Sequence, residues 1–121
     1  MAHGDITHTD IPVSDTGRAQ QFYGDLFGWR FAEPPGFEGY PMWQVPNGVS
    51  GGGLAPRGDG FTAPRIYVDV DSIDAALARV VELGGTVLHE PEPIDDTQSW
   101  AVVRDLDGNE IGLVGPVTTE S

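Results

Sequence analysis

The sequence predicts an α+β fold built from two copies of a strand-helix-strand-strand-strand module. Three observations predict it. Two helical patterns each stop at glycine, an alternating strand pattern stands directly before each helix, and the two sets keep one spacing. Val13 to Val70, Ala19 to Ala76, Leu26 to Leu83 and Gly28 to Gly85 each differ by 57 positions, which marks an internal duplication.

The first strand is expected in "ITHTDIPV", where residues alternate between two faces. Ser14 or Asp15 then supplies an N-cap, and Ala19, Phe22, Tyr23, Leu26 and Phe27 recur at helical spacing up to Gly28. Strands follow in "WRFAE", "YPMWQV" and "GGGLA". The Gly- and Pro-bearing seam "APRGDGFTAP" separates the halves. The second half begins with "PRIYVDV". Asp71 or Ser72 is its N-cap, and Ile73, Ala76, Leu77, Val80 and Leu83 or Gly84 form the helical stripe. "TVLHE", "SWAVVRD" and "NEIGLV" complete the set, with "DLDGN" as a tight hairpin turn between the last two. The modules run from about 5 to 56 and from about 64 to 116, within one domain over residues 1–121.

The composition narrows the function. Six basic residues, all arginine, stand against 19 acidic ones, for a net charge of −13. Binding to phosphate backbones depends on clustered cations, so neither nucleic acid nor an anionic membrane is expected as a partner. No cysteine is present, which removes disulfides, thiolate metal ligands and cysteine nucleophiles together. No apolar run is long enough to span a membrane, and "MAHGDITH" lacks the pattern of a secretory leader. A cytoplasmic location is the expectation.

Paired βαβββ modules, "FYGDLFGW" at the end of the first helix and "DLDGNEIGLV" near the C-terminus resemble the vicinal oxygen chelate superfamily. That group includes glyoxalase I, extradiol dioxygenases and the fosfomycin- and bleomycin-resistance proteins. The resemblance covers residues 5 to 116 and specifies the fold rather than the reaction. It implies a mixed sheet curled into cups that hold a small-molecule ligand, and a homodimer.

In metal-dependent members of that superfamily, the first and last strands of each module supply four ligands, typically two His and two Glu. Carried onto this chain, the resemblance puts the first ligand at His8 and its repeat equivalent, 8 + 57, at Arg65. The last-strand positions, directly before Leu54 and Leu113, read Gly53 and Gly112. A guanidinium does not give up a proton to bind a metal, and glycine has no side chain to offer. The expectation is no metal and no other cofactor. Arg65 then stands in for the ion among Asp10, Asp69 and Glu110.

Strand alternation places His8, Asp10 and Pro12 on one face and Arg65, Tyr67 and Asp69 on the equivalent face of the second module. Thr9, Ile11, Val13, Ile66, Val68 and Val70 face the helices. The expected ligand-binding residues are therefore His8, Asp10, Arg65, Tyr67 and Glu110. Trp43, Gln44 and Trp100 join them as pocket residues that could equally be core or dimer interface. Trp29 reads as core, and His89 as structural. His8 beside Asp10 has the form of an oriented base, but no nucleophile or oxyanion pocket is recognisable, so no catalytic residue is assigned. "EPPGFEGYP" and "HEPEPIDDTQ" read as acidic loops at equivalent places in the two halves.

The expected function is metal-independent binding of a small molecule, cationic or aromatic, in the manner of bleomycin-resistance proteins. The alternatives are a divergent lyase, isomerase or dioxygenase with a rearranged metal site, and a module that acts only by pairing with another protein.

Overall fold

A computed structural model describes residues 3–44, 51–58 and 61–117. Among these residues, two helices and eight strands run in the order β1 (Ile6–Val13), α1 (Thr16–Phe27), β2 (Arg30–Ala32), β3 (Met42–Gln44), β4 (Gly51–Pro56), β5 (Arg65–Asp69), α2 (Ile73–Glu82), β6 (Thr86–Pro93), β7 (Ser99–Arg104) and β8 (Glu110–Gly115). This is the α+β order expected from the duplicated pattern. Two compact units result, Thr7–Arg65 and Ile66–Ser121 together with Met1–Ile6.

Within the Thr7–Arg65 unit the strand order is β2-β3-β4-β1. The β2/β3 and β3/β4 pairs are antiparallel, and β1 lies parallel to β4. The other unit repeats the plan as β6-β7-β8-β5, with β5 parallel to β8 and the remaining pairs antiparallel. Each half is a mixed, open sheet, because a strand that returns after a crossover helix runs parallel to its neighbour.

Both helices start as the sequence predicts. The Asp15 side chain accepts from the Arg18 N–H, and the Ser72 hydroxyl accepts from the Ala75 N–H; these N-caps are one repeat apart. Gly28 closes α1 in the left-handed region at φ 76°, a conformation that L side chains adopt at a cost. Under α2 the apolar stripe works as expected. Ile73 and Leu77 are buried against Val70, Ala101, Val103 and Leu113, with Ala76 and Val80 packed at the margin. Leu83 is exposed, because it is the C-cap and has left the stripe.

The α1 stripe behaves differently. None of its residues is buried, and Phe22, Leu26 and Phe27 are 60%, 58% and 51% exposed. The sheet beneath carries broad rings, and they take only the Tyr23/Phe27 edge of the helix: both rings contact Trp29. Phe22 and Leu26 each sit one residue earlier, about 100° away around the helix, and remain outside. A second difference is β6. "HEPEP", read as the start of a loop, continues the strand to Pro93 through two irregularities in its pairing with β7. Prolines are tolerated there because β6 is the terminal strand of its half. The turn itself spans Ile94 to Gln98, closed by the Ile94 N–H on the Gln98 carbonyl.

Candidate functional site

The face of β1 opposite α1 carries His8 and Asp10, as alternation requires. Tyr40 arrives on this face from the segment before β3. Its hydroxyl donates to Asp10 Oδ1 in a short hydrogen bond and lies 2.6 Å from His8 Nε2. His8 Nε2 is also 2.9 Å from the same Asp10 oxygen. An ionised carboxylate only accepts, so the assignment that satisfies all three contacts puts a proton on Nε2, shared between Asp10 and the tyrosine oxygen. His8 and Asp10 are largely withdrawn from water, with side chains 22% and 15% exposed. The arrangement orients the imidazole and fixes its tautomer, which is what a hydrogen-bonding or proton-moving site needs.

Tyr40 also explains Gly53. In the parallel β1/β4 register Asp10 lies opposite Gly53, and a Cβ built on Gly53 would collide with the ring and hydroxyl of Tyr40. The second module repeats this by another route. Tyr67, one repeat after Asp10, lies opposite Gly112 in the β5/β8 register, and its ring covers the space that a side chain at Gly112 would need. Tyr67 is only 6% exposed. At both last-strand ligand positions, then, a tyrosine ring fills the place of the missing side chain.

The superfamily's metal is tested by these residues and does not fit them. Two of four positions have no donor atom and no room for one, the third is Arg65, and His8 Nε2 is committed as a donor. Among the described residues no three His, Asp or Glu side chains group to hold a metal ion. The Arg65 guanidinium lies 4.9 Å from the Phe61 ring centroid, a cation–π arrangement within its own unit.

The remaining expected site residues separate. Trp43 faces α1, not the His8 side. It is 5% exposed and stacks on Trp29 at 4.3 Å with the planes 1° apart, flanked by Phe31. Trp29, expected as core, is half-buried over this stack, and Trp43, expected as a pocket residue, is core. Trp100, at Trp43 + 57, lies on the face of β7 away from α2 and is half-buried, with the His89 ring stacked on it at 4.3 Å. His89 Nε2 also lies 3.0 Å from Glu92. Glu110 opens β8 opposite Arg104. The side chain of Gln44 lies outside the described residues. In sequence Tyr40 counts only among the aromatic residues able to line a pocket; its place beside His8 and Asp10 has no local signal.

The architecture is that of a glyoxalase-type protein of two βαβββ modules. Comparison with known proteins agrees. Residues 5–46 match the bleomycin resistance protein-like N-terminal family. The chain is 32% identical over 111 residues to a candidate glyoxylase, CFP32, of Mycobacterium bovis, covering 86% of this chain and 42% of that protein. It therefore spans about two-fifths of the length of that curated relative. A glyoxylase-like domain-containing protein of Didymella fabae is 29% identical over 99 residues, covering 74% of this chain and 76% of that protein. Among solved structures, methylmalonyl-CoA epimerase from Mycobacterium tuberculosis superposes with a TM-score of 0.70 at 22% identity, over 95% of this chain and 89% of the other. A glyoxalase/bleomycin resistance protein/dioxygenase superfamily member from Vibrio splendidus gives 0.66 at 16%, over 92% and 97%. The chain thus shares the fold of the glyoxalase/bleomycin resistance/dioxygenase, or vicinal oxygen chelate, superfamily and is similar in sequence to glyoxylase-like and bleomycin-resistance-like proteins.

Proposed function

We propose that the protein binds a small molecule without a metal ion, in the manner of the bleomycin-resistance branch. The observation that carries this reading is the paired replacement of ligand side chains by rings: Tyr40 over Gly53 and Tyr67 over Gly112. In this reading His8 and Asp10, held by Tyr40, are the polar contacts of the Thr7–Arg65 unit, and Arg65 supplies a fixed positive charge in place of a metal. Trp100 and Glu110 are the aromatic and acidic groups that the other unit offers. A net charge of −13 favours a cationic or aromatic ligand. The two modules act as one domain, and the chain works in the cytoplasm as a homodimer, a state that the exposed Leu26 and Phe27 favour.

A thermal-shift screen of the protein against cationic and aromatic metabolites tests this. A compound that raises Tm in the wild type and has lost that effect in His8→Ala supports the reading. A screen with no stabilising compound counts against it.

One observation favours a second reading, a divergent lyase or isomerase. The His8–Asp10–Tyr40 cluster joins three groups able to move a proton, and the chain shares its fold with an epimerase. Turnover that is lost in both Tyr40→Phe and Asp10→Asn would establish that reading over simple binding.

A further inference from the structure

Arg18 and Arg57 line one groove of about 530 Å³ in the Thr7–Arg65 unit, on residues separate from the His8 cluster. Its apolar wall includes Pro12, Val13, Phe22 and Tyr23. We propose that this groove binds an organic anion, with a carboxylate or phosphate head at the two guanidiniums and an apolar or aromatic body against Phe22 and Tyr23.

Charge is the first support. The chain has six cationic side chains for 19 acidic ones. Arg79 is paired with Glu82, and Arg65 lies on the Phe61 ring. Among the described residues, neither Arg18 nor Arg57 has a carboxylate within ion-pair distance. Arg30 and Arg104 also have no carboxylate partner among the described residues, but only Arg18 and Arg57 line this cavity together. Asp15 is the acid of this lining, and one of its oxygens is held by the Arg18 N–H as the cap of α1. Two cations against one anion leave the groove net positive in a strongly negative protein.

Shape is the second support. The volume falls in the range of small-molecule sites, and the wall combines a few polar groups with aromatic surface. Phe22, left outside the core by the tilt of the α1 stripe, becomes the floor for an apolar body. Guanidinium forks match carboxylate and phosphate oxygens in pairs, which suits them to this head group.

The test uses anilinonaphthalene sulfonate, an aromatic anion that fluoresces when bound, and its uncharged analogue phenylnaphthylamine. The sulfonate should bind the full chain and weaken with added salt. In the double variant Arg18→Gln/Arg57→Gln its Kd should rise by about tenfold, while that of phenylnaphthylamine changes by less than about twofold. Circular dichroism and Tm equal to wild type show that the variant is folded. Displacement of the dye by benzoate identifies a carboxylate head, and displacement by phenyl phosphate a phosphate head; either supports the proposal. Displacement by neither, an unchanged Kd in the double variant, or equal weakening of both dyes would overturn it.

Discussion

The ring of Tyr40 occupies the space that a side chain at Gly53 would need, although thirteen positions separate them in the chain. The strand that elsewhere in the superfamily presents a ligand here presents only backbone, and the tyrosine hydroxyl reaches past it to Asp10 and His8.

Restoring a side chain at Gly53 should therefore damage the fold through Tyr40. Gly53→Ala is expected to cost about 1–3 kcal/mol, as overpacking of a filled site does. In a Tyr40→Ala background the same substitution should cost clearly less, because its collision partner has gone. Urea denaturation of the four proteins in the cycle gives the coupling, and strictly additive costs would contradict the geometry.

Tyr40→Phe isolates the hydroxyl, keeping the ring over Gly53. It removes the donor to Asp10 and one partner of His8, so stability should fall by about 1–2 kcal/mol. The loss should shrink when Asp10 is already Asn. An unchanged denaturation midpoint would mean that the hydroxyl is not in the network.

The two strand tryptophans, Trp43 and Trp100, should respond differently. Trp43→Ala empties the stack with Trp29 and is expected to cost about 3–5 kcal/mol. Trp100→Ala should cost markedly less, since its ring is half-buried and its stacked partner, His89, is itself 42% exposed. Equal losses would show that both tryptophans are core.

Acid stability should depend on the turn at Asp105. Hydrogen bonds from the Asn109 side chain and backbone, then from the Asp107 N–H, hold its carboxyl below the ordinary 3.8. Asp95 is lowered in the same direction, chiefly by the Thr97 N–H and then by the Gln98 N–H. A depressed folded-state value means that stabilisation is complete above the unfolded pKa and is lost as pH falls through the folded one. Tm measured from neutral pH downwards should begin to fall near pH 4. Asp105→Ala should lower Tm at neutral pH and flatten that decline; parallel curves for the two proteins would refute the assignment.

Much of this fold is legible because local chemistry repeats at a fixed spacing. Asp15 and Ser72, or Val13 and Val70, announce their roles through capping and alternation alone. The side of a helix that a sheet selects is not local: Phe22/Leu26 and Tyr23/Phe27 look equivalent in sequence, and the rings of Trp29 and Trp43 decide between them. β6 is obscured by Pro91 and Pro93, which read as loop until the strand is known to be terminal. The candidate site divides in the same way. His8 follows from the resemblance, Arg65 from the repeat, and Gly53 and Gly112 from their places directly before Leu54 and Leu113, whereas Tyr40 and Tyr67 as fillings depend on which strands lie side by side.

The central claim is that rings have replaced ligands and that the protein works without a metal. Elemental analysis of the purified protein, run beside His8→Ala, tests it most directly. The account predicts substoichiometric zinc, nickel, manganese and iron in both proteins. One equivalent of any of these in the wild type, lost in His8→Ala, would contradict it.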